Sequence, residues 1–332
     1  MKIIAIDNFK SLPKYRQIVL SIETAISDKR LKRGDKLPSV NKVALEFSLS
    51  RDTVLLAYDD LKKRGIIYAR LGKGYYIKSD GFILEQRIFL LFDEFNSFKE
   101  DLYNSFKETM GSSAQIDIFF HYFSLDVFKK LVNENNGDYS KYVIMPTTLK
   151  GAAAVIKTLP KNDVYILDQT TDELAEYPSV HQNFVNDMYK ALTAGETKLR
   201  KYNKLILIFP EFKQPPGMRE GFIKFCKEHN FTYEIIPDFE DHAITPGEAY
   251  IIPNDRHLVN VIEQARVQQL KIGKDVGIIS YNDIPLKKVV GNGITTISTD
   301  FTAMGKILAE MIVLQKPDSV ENVSRLIQRG SL

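Results

Sequence analysis

The chain has 332 residues, 44% of them apolar, which is enough for two or three domains with packed cores. Its formal charge is only +3, yet residues 1–79 carry 17 Lys/Arg against 8 Asp/Glu while the remainder carries 28 against 34, so a polyanionic partner is expected for the head alone. The lone Cys226 excludes an intrachain disulfide or a Cys-based zinc site and fits a reducing cytoplasm. The absence of a signal-peptide core in Met1–Lys10, or of any long apolar run, speaks against secretion and membrane embedding.

Tyr15, Ile18, Val19, Ile22 and Ile26 recur at helical spacing, predicting an amphipathic helix that opens near Pro13. Ser39 is placed to cap a short second helix with Val40, Val43, Ala44 and Phe47 on its apolar stripe. After a tight turn at Ser48-Leu49, Ser50 caps a third helix that buries Val54, Tyr58 and Leu61 and ends at Gly65. Two β-rich segments, 66–70 and 75–78, then flank Leu71-Gly72-Lys73-Gly74, whose glycines allow a hairpin tip to approach a groove. Helix–turn–helix plus hairpin is the layout of a winged helix, whose third helix would set its first turn, Arg51-Asp52-Thr53, against base edges. Arg51 suits a guanine edge or a phosphate, Thr53 a phosphate or a thymine methyl, and Lys73 a phosphate.

The segment resembles the winged helix of the GntR family through Leu37-Pro38-Ser39, Ala44, Leu49-Ser50-Arg51, Thr53-Val54, Tyr58, Leu61, Gly65 and Gly72-Lys73-Gly74-Tyr75. That resemblance implies a DNA-facing set of Ser39, Asn41, Lys42, Ser50, Arg51, Asp52, Thr53, Tyr58, Gly72, Lys73 and Gly74. The family often carries Glu-Arg where Val40-Asn41 stand, a second Arg at Leu55, and a small hydroxyl or Gln at Asp52. Asn41 can still bind an adenine edge, so an operator departing from the common family sequence is expected.

Residues 80–87 read as a linker, and 88–332 as the body. Candidate strands at 88–92, 116–120, 142–145, 164–167, 205–209, 233–236, 249–252 and 276–279 alternate with helix-compatible segments, which predicts parallel α/β architecture in two sheets. Ligands of such sheets bind beyond the carboxyl ends of the strands. There stand Asp93, Phe95, Asn96, His121 and Asp255, among other amides, carboxylates, hydroxyls and rings suited to a sugar.

From about residue 205 the chain resembles the effector domain of LacI/GalR-type repressors, which share the periplasmic-binding-protein fold. The resemblance rests on Asn254-Asp255, Gly277, Tyr281-Asn282-Asp283, Thr295-Thr296, Gly305 and Arg329-Gly330-Ser331. It implies sugar-binding roles for Asn254 and Asn282 and places Gln182, followed by Phe184, where the family has a ligand-binding Asp. Met218, with Arg219 beside it, stands where a ring-binding Arg is widespread, so a reorganised pocket is expected.

The expected fold is therefore an N-terminal winged helix-turn-helix joined to a two-subdomain periplasmic-binding-protein-like α/β effector domain, as in arabinose-repressor-like regulators. The expected function is a homodimeric, ligand-responsive regulator of carbohydrate catabolism that binds a pseudopalindromic double-stranded operator and a sugar. No nucleophile elbow, Walker loop or HExxH motif is present and the five histidines lack metal-ligand spacing, so neither an enzyme, a cofactor nor a metal is expected. The alternatives are a cytoplasmic small-molecule-binding protein with a head that no longer binds DNA, or a regulator answering to a phosphorylated sugar or nucleobase.

Overall fold

The structure is a computed structural model that describes residues 3–7, 12–78, 86–111, 114–210, 214–240 and 242–332. The head comprises α1 (Lys14–Ser27), α2 (Val40–Glu46), α3 (Arg51–Lys63) and the antiparallel hairpin β1 (Ile67–Arg70) with β2 (Gly74–Ile77). Both expected caps form: Ser39 Oγ accepts from the Lys42 amide at 3.2 Å and Ser50 Oγ from the Thr53 amide at 3.1 Å. Gly65 adopts φ +72°, the left-handed conformation that stops α3 without a Cβ penalty. The periodic residues Ile18, Ile22, Val54, Tyr58 and Leu61 meet Ile67 and Ile77 in one core.

The linker expected at 80–87 lies outside the described residues except for Gln86 and Arg87, which instead begin β3. The first lobe of the body runs β3 (Gln86–Phe92), α4 (Ser97–Met110), β4 (Ala114–Phe120), α5 (Leu125–Glu134), β5 (Lys141–Ile144), α6 (Ala152–Ile156), β6 (Val164–Asp168) and β7 (Ser179–His181). The second lobe runs α7 (Phe184–Leu199), β8 (Lys204–Ile208), α8 (Pro216–Glu228), β9 (Tyr233–Ile236), β10 (Glu248–Ile252), α9 (Asp255–Val267), β11 (Gly277–Tyr281) and β12 (Thr295–Thr299). The chain then returns to the first lobe with α10 (Phe301–Val313) and β13 (Ser319–Glu321), and closes in the second with β14 (Ser324–Ile327).

The sheet orders are β13-β7-β6-β5-β3-β4 and β14-β12-β11-β10-β8-β9, parallel throughout except for the antiparallel β14. Helices on both faces bury the inner strands, which is why 88–92 and 205–208 read as unbroken apolar runs. All eight expected strands are present, five of them within one residue at each end. The sequence pattern does not reveal β7, β12, β13 and β14, which are short or rich in Ser and Thr.

Among the described residues the chain crosses between lobes three times, at 182–183, 300 and 322–323, and the crossings are laced together. The Asn322 amide donates to His181 O at 2.7 Å, Asn322 Nδ2 to Asp300 O at 3.0 Å, and Asn183 Nδ2 to Glu321 Oε2 at 3.0 Å.

Gly305 lets α10 lie directly on α4, because a Cβ there would stand 2.3 Å from Leu102 O. Overpacking against a backbone oxygen cannot be relieved by a rotamer change, so Gly305→Val should destabilise the body by about 1–3 kcal/mol. Urea unfolding checks this; an unchanged midpoint would contradict the close helix contact.

Candidate nucleic-acid interface and ligand cleft

In the head, Arg51 and Asp52 are exposed at the start of α3, and Asn41 and Lys42 are exposed at the start of α2. Lys73 is exposed at the hairpin tip between Gly72 (φ +69°) and Gly74 (φ +102°). The segment before α2 is stitched to β2 by Gly34 N–H to Ile77 O, Ile77 N–H to Asp35 O and Leu37 N–H to Tyr75 O, each at 2.9 Å. Wing and helix–turn–helix are therefore held in one fixed relation.

The hydroxyls of Ser39 and Ser50 serve first as helix caps, and Ser50 Oγ also lies 2.8 Å from Thr53 Oγ1. Tyr58 requires correction: it is wholly buried, packs edge-on against Tyr75 and donates its hydroxyl to Pro38 O at 2.7 Å. It positions the loop before α2 and has no surface to offer DNA.

In the body, polar residues gather at the carboxyl ends of the strands. Asp93 follows β3 and accepts from Lys99 Nζ, which reaches back from α4. Lys99 also faces Asp168 at the end of β6. Gln182, in the first crossing, donates through Nε2 to Asp168 Oδ1 and accepts through Oε1 from the Thr299 hydroxyl. Asp93, Lys99, Asp168, Gln182 and Thr299 are all buried. Burial pushes the Lys99 ammonium below its ordinary range, opposed by Asp168, and pushes the Asp168 carboxyl up, opposed by Lys99 and Gln182.

The second lobe faces this chain with Tyr281, Asn282 and Asp187. The buried Tyr281 phenol is raised well above its usual range by desolvation, then by the charges of Asp187 and Asp168. Thr147 Oγ1, Asp187 Oδ2, Tyr281 OH and Asn282 Oδ1 are buried atoms that have no hydrogen-bond partner among the described residues. Such atoms are costly unless something satisfies them. Backbone strain falls at the same strand ends: Thr147, Asp168 and Asn282 take φ of +52°, +72° and +62°. Alongside the second crossing lies a cavity of about 170 Å³ where Phe98 stacks on Phe301 at 4.7 Å, with Asp283, Ser298 and Thr299 on its walls.

The sequence-expected ligand residues divide. Asp93, Gln182 and Asn282 belong to the central constellation, while Asn96 caps α4, its Oδ1 accepting from the Lys99 amide at 3.2 Å. Asn254 caps α9 through the Arg256 amide at 2.8 Å, leaving its Nδ2 for other partners. Asp255 pairs with the buried Lys287 at 2.7 Å. Phe95 is exposed and edge-on to Phe120, Phe184 packs on the second-lobe core, and Arg219 is exposed on α8.

Two expectations are corrected. His121 is fully buried, with Nε2 donating to Met145 O at 3.0 Å and Nδ1 accepting from the Phe123 amide at 3.2 Å, so both nitrogens are committed. Burial pushes this imidazole down to about 4. Met218 packs with Phe222 and Tyr281 in the second-lobe core and offers no polar group in place of the family's Arg. Lys99, Asp187 and Thr299 were not singled out from sequence, since only the fold brings them beside the strand ends.

Residues 14–77 match the bacterial regulatory proteins of the gntR family, and residues 197–332 match the periplasmic binding protein-like domain. Over 97% of both chains, this one is 23% identical to the arabinose metabolism transcriptional repressor of Geobacillus stearothermophilus. The head alone is 38% identical to the transcriptional repressor YtrA of Bacillus subtilis, over 23% of this chain and 59% of that protein. The body superimposes on the trehalose repressor of Escherichia coli with TM-score 0.62 at 14% identity, covering 73% of this chain and all of that one. The lac repressor bound to ONPG gives TM-score 0.62 at 15% identity, covering 85% of this chain and 90% of that one. These findings define a DNA-binding transcriptional regulator. More particularly, the chain combines a GntR-type helix–turn–helix head with a LacI-like, periplasmic-binding-protein-like body.

Desolvation pushes the Asp187 carboxyl up to about 7, with Glu321 adding to the shift. The folded state then keeps a proton that the unfolded chain loses at ordinary carboxylate pH, so this residue costs stability as pH rises from about 4 to 7. His121 acts in the opposite sense over much of that range, so the variant-minus-wild-type difference isolates Asp187. Asp187→Asn should gain melting temperature over wild type progressively across that interval and hold the gain above it. A difference independent of pH would refute a carboxyl that burial keeps protonated.

Proposed function

We propose that this protein is a transcriptional repressor whose head binds an operator and whose interlobe cleft binds an uncharged sugar that weakens operator binding. The observation that carries the reading is the set of buried polar atoms without hydrogen-bond partners among the described residues, at and beside the strained strand ends of a body attached to a winged helix. Sugar hydroxyls both donate and accept, so they suit Asp187 Oδ2, Asn282 Oδ1, Thr147 Oγ1 and the Tyr281 hydroxyl together. The Phe98–Phe301 stack supplies an apolar surface for a ring face.

A phosphorylated ligand fits less well. Lys99 faces Asp93, Lys287 faces Asp255, and Arg329 grips Asp283 at 2.6 and 2.8 Å, so these cations are already matched by carboxylates. The protein works in the cytoplasm as a regulator without chemistry of its own. It acts as a homodimer, and its two heads read half-sites roughly 34–36 Å apart if they lie one helical turn from each other.

Fluorescence anisotropy on a DNA fragment from immediately upstream of the coding sequence, with a panel of aldopentoses and aldohexoses, tests the proposal. One sugar should lower operator affinity about 5–150-fold, the range of ordinary allosteric coupling. No specific complex even at low salt would favour a small-molecule-binding protein, and a complex indifferent to every sugar would remove the effector role. In calorimetry with the responsive sugar, Asn282→Ala should lose at least about tenfold in affinity, the equivalent of one good polar contact. Unchanged affinity would put the site elsewhere.

A further inference from the structure

Leu71 has a relative exposure of 103%, the highest of any large apolar side chain among the described residues. Scattered exposed leucines need no explanation, but the setting of this one is unusual. It stands at the apex of the wing, in a turn closed by Lys73 N–H to Arg70 O at 2.9 Å, with Gly72 at φ +69° supplying the left-handed residue. Turn apices ordinarily take Gly, Pro, Asn, Asp or Ser, each for a conformational reason that leucine does not share.

The tip is braced from behind. Tyr68 and Tyr76 pair across the strands with ring centroids 5.8 Å apart, and the Arg70 guanidinium lies over both rings at 5.6 and 5.3 Å. Lys36 lies 5.9 Å from the Tyr76 ring, and the Tyr76 hydroxyl donates to Lys73 O at 3.3 Å. An apolar side chain is thus presented on a braced support, between Arg70 and Lys73 and with Lys36 close behind. Cations at the base and an apolar group at the point match a surface that is anionic outside and apolar within, which a duplex offers where a groove opens onto stacked bases.

We infer that Leu71 is a specificity-determining wedge that enters the minor groove beside the half-site and presses on a base step. This rests on the DNA-binding role proposed above. A wedge gains contact where the step is easily unstacked, so pyrimidine–purine steps are favoured at that position. The cations would hold the wing on the phosphates, and the leucine would add preference for a step that no side chain hydrogen-bonds.

The test uses the full chain. Wild type is footprinted on the upstream fragment, and a short duplex is then made with 2-aminopurine at the step under the wing. Leu71→Ala and Leu71→Gln should bind about tenfold more weakly, in keeping with the transfer free energy of a partly buried leucine. Their slopes of log affinity against log salt should equal that of wild type, and the unstacking fluorescence should vanish. Lys73→Ala should instead reduce the slope by about 1 and keep the fluorescence. Leu71 variants within twofold of wild type, with fluorescence retained, would overturn the inference while leaving the regulator reading intact. Equal DNA binding combined with Leu71-dependent binding to phosphatidylserine vesicles would assign the tip to a lipid surface and overturn it as well. A wild type that forms no specific complex would overturn the regulator reading, and this inference with it.

Discussion

The ammonium of Lys99, buried between Asp93 and Asp168 and continued through Gln182 to Thr299, is the interaction on which the body is organised. A lysine in a dry interior is tolerated only when it is paired and hydrogen-bonded, so its position fixes the ends of β3 and β6. Gln182 lies on one crossing between the lobes and Thr299 ends the strand that leads into another, and their shared hydrogen bond joins the ion pair to the hinge. A ligand bound in the proposed cleft would meet side chains whose partners hold the lobes together.

The head obeys a simpler constraint. Its exposed side chains at the two helix starts and the wing tip, Asn41, Lys42, Arg51, Asp52 and Lys73, are carried on a frame held by the caps Ser39 and Ser50 and by the Tyr58 hydroxyl. Tyr58 illustrates the division: its hydroxyl ties α3 to the loop before α2, so the start of α2 and the start of α3 are presented as one surface. The departures from the common family residues at Val40, Asp52 and Leu55 leave that frame unchanged, with Val40 and Leu55 packing on the head's core.

How much was legible in the sequence follows from how local each signal is. Caps at Ser39 and Ser50, the glycine stop at Gly65 and the glycine-flanked Lys73 are readable because a few adjacent residues determine them. The buried strands were readable as apolar runs. The polar strand Thr295–Thr299 was not, because its threonines are buried only by the sheet around them. Tyr58 and His121 depart from their expected roles for a common reason: a residue type suited to a site is buried and satisfied by the fold, while Met218, in place of the family's Arg, is taken up by the second-lobe core. Lys99 and Asp187 were missed because neither has a neighbour in sequence that hints at its partners.

The central claim is the proposed effect of a sugar in the cleft on operator binding, and we propose that it passes through the hydrogen bond that the Thr299 hydroxyl donates to Gln182 between the lobes. Its most direct test is the ratio of operator affinities with and without the responsive sugar, measured for wild type and for Thr299→Val, which keeps the shape but removes the hydroxyl. The account predicts that the variant binds the operator and the sugar while the ratio falls toward 1. A ratio equal to that of wild type would contradict it.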